Sequence, residues 1–351
     1  MQGSLSEEQW FLKETADRLA RDLGVRPGGD AEALDAARAW SVLVDAGFVG
    51  IAVPEDRGGS GSGTLDVALV LDALGSTLVP APFLGSAVLA GSLLAAGGAS
   101  DALVAPIARG ATTATCVFTG DLSTVAVAGG NRRGVAFDAG ATPGPVVALH
   151  PEGGRLLVRD FGAFADARRI DALDVVRAFY DVDLGDLDAF DVVGVLEPDA
   201  RDAWRARALV WVAAEMLGVM TGALDLAVQY AKDRVQFGRR IGTFQAVQHM
   251  LAEAHTSAEA ARSAVYGAAD AVDNLGVAPG LHAARVAKAY VGGVVREVIE
   301  TSLQVHGGIG MTWEFVGHHY LRRGLSDAAL LGDAHAQRYE LAAQLLTAAR
   351  S

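Results

Sequence analysis

The sequence predicts a mainly helical protein with a small antiparallel β domain in its middle. Three observations carry this. Apolar residues recur at helical spacing up to about residue 104. From 105 to 197 the texture changes to short β-branched and aromatic runs divided by Gly, Pro and Asp, and from 198 long Ala- and Leu-rich helical patterns return. The expected architecture is an N-terminal helical domain over 1–104, a shortened antiparallel β barrel or sandwich over 105–197, and a C-terminal four-helix bundle over 198–351.

The first helix is expected over 5–23, where Leu5, Trp10, Phe11, Ala16, Leu19 and Leu23 fall at roughly helical spacing, and it stops before Pro27-Gly28-Gly29. A second helix over 31–46 carries Trp40, Leu43 and Val44 on one side. The stretch GFVGIAVPEDRGGSGSGT reads as a glycine-rich connection, with Pro54 restraining one end; it holds neither a GxGxxG after a strand nor a lysine-bearing phosphate loop. Two further helices follow over 65–78 and 83–96, separated by Pro80 and Pro82.

Strands are expected in TTATCVF, STVAVAG, PGPVVALH, GRLLVRDF and VVRAFYDVD. The acidic DVDLGDLDAFDVVGVLEPD reads as solvated surface, since it lacks the spacing of a calcium loop. The bundle helices are expected over 202–232, 243–274, 281–306 and 325–349. Their corners fall at Gly238, 276–280 and HGGIG, and Thr243 caps the second helix. The frequent Ala and Gly allow close backbone packing.

A chain that is 51% hydrophobic and 20% charged is a packed globular protein rather than a disordered one. Its formal net charge of −13 argues against a general nucleic-acid surface, but leaves room for one anionic cofactor in a local basic pocket. Cys116, the single cysteine, excludes an internal disulfide and a cysteine-rich metal cluster, and reads as a buried, inert thiol. No metal site is expected. The opening MQGSLSEEQW is not a signal peptide. The apolar run 206–224, interrupted by Glu215, reads as a helix buried in protein rather than a membrane span, so the expected location is the cytoplasm.

Residues 230–249, YAKDRVQFGRRIGTFQAVQH, concentrate Arg, Gln and His beside Gly238 and Gly242. An arginine beside a helix-breaking glycine suits an anion, because its fork matches phosphate geometry. A solvated loop or helix cap has the same composition, and composition alone favours that reading.

The helix–β–helix order, DRVQFGRRIGTFQAVQH, the later QVHGGIGMTWE and the early DAGFVGIAVPEDRGGSGSG together resemble the acyl-CoA dehydrogenase superfamily over essentially the whole chain. The resemblance implies dimers or tetramers, FAD bound at a subunit boundary, and formation of a double bond between the α and β carbons of an acyl-CoA thioester. An electron-transfer flavoprotein is the implied acceptor. Arg234 matches the family arginine that reaches a neighbouring subunit's FAD pyrophosphate, and Phe237 the aromatic near the same nucleotide. Gln236 belongs to that segment, with Gln245 and Gln248 as polar contacts on the next helix. Gln304, Gly307, Gly308 and Gly310 match the segment approaching the adenosine and pyrophosphate side. The bland alternatives are interface polar residues for the glutamines and a simple helix stop for the glycines. His249 and His306 read as hydrogen-bonded structural histidines.

The departures from the family pattern matter more. The reaction needs a carboxylate to take the substrate α-proton while hydride leaves the β-carbon for the flavin. The family's two positions for that base fall on Leu331 and Ala208, both apolar. Glu215, Glu253, Glu314 and Asp333 are the remaining acidic substitutes; Glu215 lies about two turns, roughly 10 Å, beyond Ala208. The family's Thr-Glu-Pro…Gly-Ser-Asp segment, which contacts the flavin, is replaced after PIARGATTATCVF by Thr119, Gly120, Asp121 and Leu122. No residue of this chain is therefore expected to be catalytic. The pattern is similar to the shortened, non-catalytic type of subunit in heteromeric acyl-CoA dehydrogenases, including those that shorten steroid side chains. It implies an α2β2 assembly, inactive as a lone chain, in which a fuller partner holds the acyl-CoA and shares FAD. A self-sufficient homomeric dehydrogenase with a displaced base, and a scaffold or acyl-CoA-binding protein without flavin, are the competing readings.

Overall fold

The computed structural model describes residues 5–26, 29–129, 132–140, 144–164 and 166–348. The first four residues, Pro27-Gly28, Pro143 of the PGPVVALH strand and Ala349 at the end of the last expected helix lie outside these.

The N-terminal region is helical because its caps and apolar stripes agree. Helix α1, Glu7–Leu23, opens on a capping box in which Ser6 and Gln9 exchange side-chain and backbone hydrogen bonds. Helix α2, Ala36–Asp45, starts later than the apolar pattern suggests, because the Asp35 carboxylate takes the Arg38 N–H and fixes the first turn there. Helix α3, Thr64–Ser76, is buried over most of its length. A π-helical turn, Phe83–Ala90, runs into α4, Gly91–Ala96, and α5, Asp101–Ala108, follows. Together α3 and the Phe83–Ala96 segment supply much of the core.

The middle domain contains β1 Thr115–Phe118, β2 Arg133–Ala136, β3 Pro145–Leu149, β4 Arg155–Asp160, β5 Arg168–Arg169, β6 Tyr180–Asp183 and β7 Asp191–Val195. They form one sheet in the order β5-β6-β2-β1-β3-β4-β7. The pairings are antiparallel except between β1 and β3, which run parallel through Thr115–Val146 and Cys116–Val147. The sheet is thus mixed where a purely antiparallel one was expected. The reason is that β2 turns back along one edge of β1, and the chain must then cross over to lay β3 along the other. STVAVAG contributes only isolated bridges, Phe118–Val125 and Val127–Leu149. The acidic stretch is solvated as read, and part of it forms β7, an edge strand with mostly exposed residues.

The C-terminal bundle is built on α6, Pro198–Asp233, packed against α7, Gln245–Asn274, and α8, Val277–His306. Helix α6 is long and apolar enough to cross a membrane, yet 83% of its most apolar window is buried inside the protein. It approaches α3 at two glycines: a Cβ at Gly218 would lie 2.0 Å from the Asp72 carbonyl, and one at Gly222 2.0 Å from that of Ser76. The last expected helix is in fact two, α9 Gly317–Ala329 and α10 Ala334–Ala348. Helical backbone cannot continue through Leu331 and Gly332, whose φ angles are +61° and +92°. Asp333 then caps α10 by accepting the Ala336 N–H at 2.8 Å.

Candidate functional site

Helix α6 ends at Arg234, where the backbone becomes extended. Two short strands, β8 Val235–Gln236 and β9 Arg239–Arg240, then pair as a hairpin. Its turn is Phe237-Gly238, both with positive φ, at 52° and 78°. Adjacent positive-φ residues are what a two-residue hairpin turn requires. Residues 232–240 are all exposed, and Phe237 is 91% accessible. Among the described residues no carboxylate forms an ion pair with Arg234, Arg239 or Arg240. The Arg239 guanidinium stacks 4.1 Å over Phe244. On a strongly acidic protein this is a protruding arm with free guanidinium charge.

The other expected contacts divide between open and occupied. Gln236 donates to the carbonyl of Val235 at 2.7 Å, and Gln248 to that of Gly242 at 3.0 Å, bracing the arm. Gln245 lies 3.4 Å from His249 on the exposed start of α7. Thr243 was expected to cap α7, but its hydroxyl donates instead to the Arg240 carbonyl at 2.7 Å and Phe244 takes the cap position. Gln304 is exposed, and an added Cβ at Gly307 or Gly308 would meet nothing within 4 Å. Gly310 differs: a Cβ there would lie 2.5 Å from the Leu303 carbonyl, so its smallness serves packing. His306 is structural as read. Its Nδ1 lies 2.8 Å from the Ser302 carbonyl and its ring stacks between Tyr230 and Phe315, while burial lowers its pKa.

The two base positions are inside the protein. Ala208 is 0% and Leu331 1% exposed. The turn bearing Leu331 is bound on both sides. Its N–H donates to the Leu122 carbonyl at 2.9 Å, while Gln337 donates to the carbonyls of Leu331 and Gly332 at 2.8 and 3.2 Å. Buried Lys288 donates to Ala328 and Gly332 at 2.8 and 3.1 Å, and burial brings its ammonium down to about 7. The segment Thr119–Leu122, standing where the family has its flavin-contacting residues, is therefore hydrogen-bonded directly to the segment that would carry the base.

The acidic substitutes are dispersed. Glu253 and Glu314 are exposed, and Asp333 is the α10 cap. Glu215 belongs to a buried ionic cluster that sequence reasoning did not find. Arg177, from the β domain, donates to both Glu215 oxygens and, at 2.5 Å, to Asp327; Asp138 lies 3.7 Å from its Nε. Arg323 donates to Asp174 and lies 3.5 Å from Glu215. The cluster ties the β domain to α6 and α9, and its guanidiniums occupy the Glu215 carboxylate. Asp138, Asp174 and Arg177 carry no periodic signal, because they stand on irregular segments between strands.

A helical N-terminal domain, a central mixed sheet and a C-terminal helical bundle with an arginine-bearing arm define an acyl-CoA dehydrogenase fold. Residues 6–109 match the family "Acyl-CoA dehydrogenase, N-terminal domain" and residues 206–346 the family "Acyl-CoA dehydrogenase, C-terminal domain". The chain belongs to the acyl-CoA dehydrogenase family. Acyl-CoA dehydrogenase IpdE2 of Mycolicibacterium smegmatis is 30% identical over 97% of this chain and 100% of its own length. IpdE2 of Mycobacterium tuberculosis is 31% identical over 93% of each. Among solved structures, a chain of the Tcur3481-Tcur3483 steroid ACAD superposes with a TM-score of 0.81 at 27% identity, covering 98% of this chain and 99% of that one. A chain of the ChsE4-ChsE5 complex from Mycobacterium tuberculosis shares the fold, with a TM-score of 0.80 at 24% identity over 98% of each.

Proposed function

We propose that this chain is the non-catalytic subunit of a heteromeric, FAD-dependent acyl-CoA dehydrogenase, completing the nucleotide end of a FAD site whose ring end and base belong to a fuller subunit. The observation that carries the reading is the hydrogen bond from Leu331 N–H to the Leu122 carbonyl. A flavin ring and a thioester need the base and the flavin-contacting segment to stand apart, and here the two segments are bonded to each other at Leu331 and Leu122. A backbone N–H beside the base could also steady charge developing on a thioester oxygen; this one is already bonded.

The residues fit one end of FAD and not the other. Arg234, exposed and free of ion pairs, suits a pyrophosphate, and the open backbone at Gly307 and Gly308 suits close approach by a nucleotide. FAD supplies the hydride acceptor for α,β-desaturation. The arm's part is to bind and orient, with the proton transfer left to the fuller subunit. The likeness to the Tcur3481-Tcur3483 steroid ACAD supports a heteromeric partner and a bulky ring-bearing acyl-CoA. An α2β2 assembly, an electron-transfer flavoprotein as acceptor and a cytoplasmic location complete the proposal.

The test is to purify the chain alone and with a dehydrogenase-like subunit encoded beside it, and to measure flavin absorbance, assembly mass and acyl-CoA oxidation. The expected result is flavin and turnover only in the complex. Bound FAD with turnover from the lone chain would overturn the proposal in favour of a homomeric enzyme, and a stable complex without flavin would overturn it in favour of a scaffold.

A further inference from the structure

A cavity of about 350 Å³ lies beside the closed base position, between the start of α6, α8, α10 and the β domain. One wall is hydrocarbon: Leu93, Val125, Val127, Leu149, Leu196 and Leu331. Arg205 and Arg285 line it as well. The Nε atoms of both are buried and have no hydrogen-bond partner. Arg285 is only 9% exposed, and its counter-charge is Glu340 at 3.2 Å, whose side chain is half in solvent. Arg205 has no ion pair among the described residues; burial, and then the Arg285 charge, lower its pKa. Arg201 and Asp202 line it too, both about half in solvent, so three guanidiniums, with Arg205 half-buried and Arg285 buried, outnumber two carboxylates, Asp202 and Glu340, by one charge. Arg205 and Arg285 can each still offer a directional, charge-assisted donor.

We propose that this cavity binds a compact amphiphilic carboxylate, its carboxylate held by Arg205 and Arg285 and its hydrocarbon body against the aliphatic wall. The volume is near the low end for small-molecule pockets, which selects a short, compact body. The wall argues against inorganic phosphate, which would present charged oxygens to leucine and valine with nothing to bond them. Arg205 and Arg285 take no part in the FAD arm, so this site stands or falls separately from the proposed subunit role.

The test is calorimetric titration of the full-length chain with 4-methylpentanoate, its neutral amide and inorganic phosphate. The expected result is saturable one-to-one binding of the carboxylate, with the amide and phosphate each weaker by at least about tenfold. Arg285→Gln and, on the opposite wall, Val127→Phe should each weaken the carboxylate by about tenfold or more, with folding checked by circular dichroism. Equal binding of the amide would overturn recognition of charge, and equal binding of phosphate would reduce the site to a bare anion patch. No saturable carboxylate binding to the folded wild type would overturn the site altogether. These comparisons hold on the wild type even if a variant fails to fold.

Discussion

Asp327→Asn tests whether the buried cluster that captures Glu215 is a structural joint. Four carboxylates, Asp138, Asp174, Glu215 and Asp327, share two guanidiniums, Arg177 and Arg323, leaving two negative charges in excess. One oxygen of Asp327 accepts from Arg177 at 2.5 Å, and the other has no hydrogen-bond partner. Burial pushes its carboxyl up to about 7, with Arg177 opposing the rise and Glu215 adding to it. A carboxyl raised above its unfolded value of about 3.9 stabilises the fold fully below that value, and the contribution is lost as pH climbs through about 7. At roughly 1.4 kcal/mol per unit, and allowing for the half still protonated at pH 7, the loss between pH 5 and 7 is about 2 kcal/mol. Asparagine keeps an acceptor for Arg177 and cannot ionise. Urea unfolding of both proteins at pH 5 and 7 should therefore show Asp327→Asn gaining about 2 kcal/mol on the wild type across that interval. Parallel pH dependences would refute the assignment of the proton to Asp327.

Three further outcomes follow from the same geometry. In an active complex, Arg234→Ala should weaken FAD retention by roughly ten- to a hundredfold, while turnover at saturating FAD changes little; equilibrium dialysis and steady-state kinetics separate the two. Leu331→Glu restores the family's residue but places a carboxylate in a buried turn already bonded to Leu122, so the lone chain should stay inactive toward acyl-CoA and lose about 3 kcal/mol of stability in denaturant titration. Burial raises the Cys116 thiol far above its ordinary range, so a thiol reagent at pH 8 should modify it only after unfolding, as read by mass spectrometry.

The long helices were legible because their apolar stripes run for many turns and their ends carry ordinary signals, as at Ser6 for α1 and Gly276 before α8, whereas the short α5 lies across the expected 104/105 boundary and was not read. The sheet was less so. Arg133–Ala136 holds a central strand on four residues, too few for alternation to register, and its presence is what turns β1 and β3 parallel. The break between α9 and α10 did leave a trace, since Gly332-Asp333 is a helix stop followed by a helix cap. An otherwise continuous apolar pattern from 325 onward masked it. That turn also carries more information in the structure than in the sequence. Leu331 alone records only a substituted side chain, which a nearby carboxylate could in principle replace. The bonds from Leu331 to Leu122 and from Gln337 and Lys288 to the turn's carbonyls hold that turn from both sides. Glu215, the acid nearest in sequence to Ala208, is held by Arg177 and Arg323, residues distant in the chain that no spacing rule connects to it. A carboxylate at either position would therefore be set by contacts from distant segments, which no local sequence pattern records.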